Sequence, residues 1–128
     1  AYSWVDKKIN ISKSLEMLIK ANELRKNDGY IIDSLGWAYY MDKNYIEAEK
    51  FLQRAVEIMP SDPIINDHFG DALWRVGRQL EATFQWHRAL SLEPEPENVL
   101  AIKKKLKEGL LPIKGDKSSG SPEGGDGN

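Results

Sequence analysis

The side chains able to bind a metal or move a proton gather in one short stretch. Asp67, His68 and Asp71 lie there, with His87 further along. Carboxylates and imidazoles are the usual ligands and general bases, so this set is the first to test for chemistry. Asp67 and Asp71 are one helical turn apart and share a face. His68 is rotated by about 100° from Asp67, and no third ligand or nucleophile falls at a useful spacing. Cysteine is absent, which removes thiolate ligands, thiol nucleophiles and disulfides. Ser118, Ser119 and Ser121 sit among glycines and offer no scaffold for an active site. The residues therefore point to no enzyme, no metal and no cofactor, with the Asp/His group read as a solvated helix surface.

The chain has 128 residues, and its last stretch, residues 112–128, is rich in Gly, Ser and Pro. About 110 residues remain for one compact unit. The hydrophobic fraction is 41%, the charged fraction 30% and the net charge −2. This is the composition of a chain that buries a core without a strong electrostatic partner. A near-neutral balance lacks the field that nucleic acid or an anionic membrane requires. No run approaches the ~20 apolar residues of a membrane span, and the start Ala1-Tyr2-Ser3-Trp4 has neither an initiator Met nor a signal-peptide pattern. The chain reads as a piece of a longer protein, with cytoplasm and periplasm both open as its location.

One fixed offset superposes Leu35-Gly36 on Phe69-Gly70, Ala48 on Ala82, Ala55 on Ala89 and Pro60 on Pro94. The first copy carries Ile32, Leu35, Gly36, Tyr39, Ala48, Leu52, Ala55 and Pro60. The second carries Asn66, Phe69, Gly70, Leu73, Ala82, Trp86, Ala89 and Pro94. This arrangement resembles the tetratricopeptide repeat, W-x2-L-G-x2-Y followed by A-x3-F and a closing P. Ile32 and Asn66 depart from the pattern's Trp, and Asn66 is expected to weaken one packing position. A truncated copy precedes residue 29, with Ser14, Leu18 and Ala21 at the places of Ala48, Leu52 and Ala55. The resemblance spans residues 1–111 and is closest in style to the C-terminal repeats of longer bacterial proteins.

Local signals agree with helix pairs. Asp28 and Asp62 are suited to N-caps, and Pro63 follows at the first helical position. Asp42-Lys43-Asn44 and Gly77-Arg78-Gln79 are short polar connections, and Pro60 and Pro94 stop the second helices. The spacing predicts helices near 2–8, 12–26, 29–42, 45–58, 63–76 and 79–92. A seventh, 97–109, places Val99, Ile102 and Leu106 on one face and Lys103, Lys104, Lys105 and Lys107 around the rest. That helix resembles a polar cap for an array with no successor, its lysines suited to the negative end of the helix dipole. Gly36 and Gly70 sit inside helices, at a cost of about 1 kcal/mol each relative to Ala. Close helix approach, with Gly36 opposite Ala48 or Ala55, would offset it.

The predicted architecture is thus an all-α tandem helix-turn-helix solenoid, a right-handed superhelix with a C-terminal capping helix. It divides into a truncated pair (1–28), two repeats (29–62 and 63–96), a cap (97–111) and a disordered tail (112–128). The resemblance implies that the first helices line a concave groove. On those helices the faces turned away from the core carry Tyr30, Asp33, Trp37, Tyr40 and Met41, then Ile64, Asp67, Asp71, Trp74 and Arg75. In the truncated copy the places fall to Tyr2, Val5 and Asp6. Large aromatics beside carboxylates suit a protein or peptide partner carrying a basic segment. Asp33 and Trp37 stand where chaperone-binding members of the family have Lys and Asn, which argues against an acidic-tail ligand. Trp86 holds the motif's aromatic core position and is read as structural. The sequence thus favours a non-enzymatic interaction module within a larger adaptor. The other reading is a spacer or self-association segment of a longer solenoid.

Overall fold

The computed structural model describes residues 7–112. Six helices follow one another: α1 (Lys7–Leu24), α2 (Gly29–Met41), α3 (Tyr45–Ile58), α4 (Pro63–Arg75), α5 (Gln79–Ser91) and α6 (Pro96–Glu108). The described residues contain no strand, and the fold is an all-α helical-repeat solenoid. The helix predicted over 2–8, the groove positions Tyr2, Val5 and Asp6, and the tail beyond Pro112 lie wholly or mainly outside the described residues. One expectation fails within them: the turn at 9–11 is absent, because α1 runs unbroken through it. Residues 7–12 contain neither Gly nor Pro, and an established helix extends at little cost through such a stretch.

The starts of α2 and α4 are set by aspartate caps. Asp28 Oδ1 accepts from the N–H groups of Tyr30 (3.0 Å) and Ile31 (3.2 Å), and Asp62 Oδ1 does the same for Ile64 (2.9 Å) and Ile65 (3.1 Å). Each cap satisfies two of the four orphan amides at a helix start. The turns between paired helices repeat as well. Lys43 and Gly77, at the same place in successive repeats, both take positive φ, 65° and 93°. Asn44 N–H then donates to Tyr39 O and Arg78 N–H to Leu73 O, each at 2.9 Å.

Two layers result. Side-chain contacts join α2 to α4 and α4 to α6 in one layer. In the other, Arg54 on α3 donates to Lys26 O (3.0 Å) and to Asn27 Oδ1 (2.8 Å) at the end of α1. Arg88, at the place of Arg54 one repeat later on α5, donates to Pro60 O (3.3 Å) just past α3. The core between layers holds Leu52, Phe69, Leu73, Trp86 and Ile102, closed by Ala48, Ala72, Ala82 and Ala89. A smaller cluster of Ile32, Ala55 and Ile65 adjoins it. Ser14 on α1 is exposed whereas Ala48 and Ala82 are fully buried. Among the described residues nothing stands against α1 as α2 stands against α3.

The close approach made possible by glycine is confirmed, but its opposing residue differs from expectation. A Cβ at Gly36 would lie 2.7 Å from Leu52 Cγ, and one at Gly70 would lie 2.6 Å from the Trp86 ring. Leu52 and Trp86 hold the same place in successive repeats, so each glycine accommodates a large partner side chain, with the Ala82 carbonyl also close to Gly70. Asn66 also behaves differently from expectation. Buried to 1% exposure, its amide nitrogen donates to Pro60 O (3.1 Å) and Asp62 O (2.8 Å), pinning the turn that leads into α4. A polar contact there replaces the packing that Ile32 provides in the first copy.

Gly70→Ala is expected to destabilise the fold by about 1–3 kcal/mol by overpacking a rigid indole. Gly36→Ala should cost less, because Leu52 is smaller and shifts more readily than the indole, with the Leu52 amide nitrogen at 3.2 Å limiting that relief. Urea unfolding of the two variants checks the order, and equal costs would refute this difference.

Candidate functional site

The predicted groove residues that the structure describes lie on α2 and α4, the first helices of the two repeats. At the α2 end Tyr30 is 61% exposed and Met41 47%, and Ile64, at Tyr30's place on α4, is likewise exposed. Between them lies a run of stacked rings. Trp37 packs on Tyr40 (4.5 Å between centroids, 5° between planes) and on His68 (4.0 Å, 15°). Tyr40 also meets the edge of Tyr45 at 5.2 Å. Trp37 and Tyr40 come from one turn of α2 and His68 from α4, so the stack bridges two successive repeats.

Polar contacts fix that stack from both sides. His68 Nδ1 lies 2.9 Å from Asp33 Oδ1, and because a carboxylate only accepts, the Nδ1–H donates. Arg75 Nε donates to the Tyr40 hydroxyl at 3.3 Å, and Arg75 Nη1 donates to Leu111 O at 2.8 Å. The Tyr40 phenol is pushed up to about 12 by its burial and by the nearby charge of Asp71, against the opposing pull of Arg75. It stays neutral and serves as the acceptor for Arg75.

At the α4 end the arrangement departs from the sequence expectation. Lys105 of α6 reaches across to Asp67 Oδ1 (2.5 Å) and Asp71 Oδ1 (2.8 Å), with all three side chains mostly buried. Its ammonium also lies 5.5 Å from the centroid of the Trp86 ring. Asp71 additionally accepts from Trp86 Nε1 at 3.0 Å, giving the buried indole its hydrogen-bond partner. Burial alone would lower the Lys105 ammonium, but Asp71 and Asp67 outweigh it and hold it above the ordinary lysine value. Burial raises the Asp71 carboxyl, with Lys105 only partly offsetting the rise.

The three carboxylates expected to attract a basic partner are therefore paired inside the chain, Asp33 with His68 and the other two with Lys105. Trp74, expected as an anchor, stacks instead on Trp86 at 5.5 Å. A Cβ on Gly109 would overlap its outer side. What remains exposed is Tyr30, Met41 and Ile64, with the ring stack itself half-buried. Lys105 escaped sequence reading because a run of lysines looks like a solvated face. Its position three residues after Ile102, on the edge of the buried stripe, was the available signal. The angle between His68 and Asp67 gives no sign of its role, because its partner is Asp33 of the preceding repeat.

Comparison with known proteins bears on this architecture. The family described as Tetratricopeptide repeat matches residues 30–62. The chain is similar to a TPR repeat-containing protein, PA4667, of Pseudomonas aeruginosa, at 30% identity over 70 residues, which are 55% of this chain and 12% of that protein. It is also similar to the tetratricopeptide repeat-containing protein trd-1 of Caenorhabditis elegans, at 33% identity over 87 residues, 67% of this chain and 11% of that protein. The chain is a tetratricopeptide repeat protein. It spans about one-eighth or less of the length of these relatives. Tetratricopeptide repeats generally mediate protein–protein contacts and are generally not enzymes. Among the described residues no helix is long and apolar enough to cross a membrane.

Ordinary tyrosine ionises near 10.0, whereas folded Tyr40 holds its proton to about 12. The stability that its neutral form contributes is whole below about 10 and is lost as pH rises through about 12. A near-ultraviolet tyrosinate titration of the chain minus that of Tyr40→Phe is expected to show one late step near 12. A difference step near 10 would mean that Tyr40 is not held by this environment.

Proposed function

We propose that this chain is the interaction segment of a larger adaptor, holding a partner peptide or helix against the α2–α4 face, with no chemistry of its own. The observation that carries this reading is the stack Trp37–Tyr40–His68. Rings fixed by Asp33 and Arg75 offer contact area at little further entropic cost, the usual property of interface hot spots. Tyr30 and Ile64 on one side and Met41 on the other extend the apolar border of that stack. Because Asp33, Asp67 and Asp71 are already paired, the reading calls for a partner that contributes apolar and aromatic groups. The basic segment suggested by composition alone is not part of it.

A second reading is favoured by α1. Met17 and Leu24 on that helix are 70% and 86% exposed, and Ile19 is also exposed. Met17 and Leu24, seven residues apart, share one face of α1, and such a face suits coverage by further helices or by another copy, as in a spacer or self-association segment.

Capture experiments on paired variants separate the two readings. With helicity unchanged by circular dichroism, Tyr30→Ala combined with Met41→Ala should weaken retention of a defined partner at least about tenfold, or ~1.4 kcal/mol. Met17→Ser with Leu24→Ser should leave it unchanged. The opposite pattern, with a concentration-dependent mass in light scattering that the α1 variant abolishes, would favour the spacer reading.

A further inference from the structure

Past α6 the main chain folds back over α4. Gly109 ends the helix at φ 73° and ψ −174°, a conformation essentially reserved for glycine. Its N–H still donates to Lys105 O at 2.7 Å, so the helix closes normally before the chain changes direction. The change of direction lays Gly109 against the ring of Trp74, where any Cβ would overlap the indole. Leu110 then packs against the main core cluster. Leu111 turns its side chain outward, 80% exposed, while its carbonyl accepts from Arg75 Nη1. The same guanidinium donates to Tyr40, which orients it.

Three features are therefore read in succession: a residue without a Cβ, one apolar side chain and one main-chain carbonyl. Trp74, Arg75 and Tyr40 come from the two repeats, whereas the segment they hold belongs to neither helix pair. A bond from guanidinium to a backbone carbonyl recognises any chain of suitable shape, and the flat indole selects the glycine.

We propose that Trp74, Arg75 and Tyr40 form a recognition site for a short non-helical peptide segment of the kind Gly-Leu-Leu, and that residues 109–112 occupy it in cis. This site shares Tyr40 with the ring stack but uses none of the exposed residues Tyr30, Met41 and Ile64, and it stands whether or not those bind a partner. The cis segment is tethered directly to α6, so its effective concentration is of order millimolar or higher. A partner segment of the same chemistry gains the α4 end of the face only by displacing it. The chain thus carries its own competitor.

The test uses the full chain and a peptide of its own sequence, acetyl-Lys107-Glu108-Gly109-Leu110-Leu111-Pro112-amide, at millimolar concentration. The Trp74 indole and Arg75 Nε signals are followed by proton–nitrogen NMR. In the parent chain the peptide is expected to move neither signal. Gly109→Ala should shift both signals, and the peptide should return them toward their parental positions. The same peptide with alanine in place of its glycine should fail to do so. The proposal is overturned if Gly109→Ala leaves both signals in place, if the peptide moves nothing in that variant, or if the glycine and alanine peptides act alike. Should Gly109→Ala fold poorly, Arg75→Gln keeps the helix end and is expected to lower the heteronuclear NOE of Leu111 to that of a free chain end. An unchanged NOE there also overturns the proposal.

Discussion

One ammonium group ties the last helix described in this solenoid to α4, beside the apolar packing of Ile102. Lys105 of α6 sits between the carboxylates of Asp67 and Asp71 on α4, and Asp71 in turn accepts from the indole of Trp86 in the core. Putting these charges out of water is expensive, and such a cluster adds little when intact compared with apolar packing of the same volume. Removing one member is another matter, because the others are left buried and unpaired. Burial raises the Asp71 carboxyl, and Lys105 offsets that rise only in part. The cluster therefore acts chiefly as a device of position. It seats α6 on α4 in one register, and that seat directs residues 109–111 over Trp74.

The same logic runs through the array in a weaker form. Asp33 on α2 pairs with His68 on α4, and Asp67, at the place of Asp33 one repeat later, pairs with Lys105 on α6. Each first helix thus offers a carboxylate to a nitrogen on the next. On the other layer Arg54 and Arg88 perform a matching task toward backbone carbonyls of the preceding unit. Repeats contact only their neighbours, and these joints act beside the shared apolar core in fixing how one repeat meets the next. The joints also decide what surface is left over. Carboxylates used for joining cannot attract a partner, and so the open part of the face is aromatic and apolar.

Much of the fold was legible because it rests on local rules. The caps Asp28 and Asp62, the first-turn Pro63, and the helix bounds of α2 to α6 to within a residue or two follow from residue type and spacing alone. The inner glycines were legible as points of close approach. Their true partners, Leu52 and Trp86, depend on how two helices are rotated against each other, which one sequence does not state. The site was less legible. Side chains on the first helices could be grouped by face from the helical period, but whether they meet solvent or the following helix depends on residues a whole repeat further along the chain. Lys105 is the clearest case: a lysine among lysines, distinguished only by its place beside a buried stripe. The unbroken α1 was missed for the opposite reason, since a repeat template placed a turn where the local residues favour continued helix.

The most direct test of the account is a double-mutant cycle between Lys105→Met and Asp71→Asn in the full chain, read by urea unfolding. If Lys105 seats the cap through these carboxylates, each single change is strongly destabilising, and the double variant is less damaging than their sum by more than about 1 kcal/mol. Additivity within about 0.5 kcal/mol would show that the two groups do not work together. The seating of α6, and with it the course of the chain over Trp74, would then require another cause.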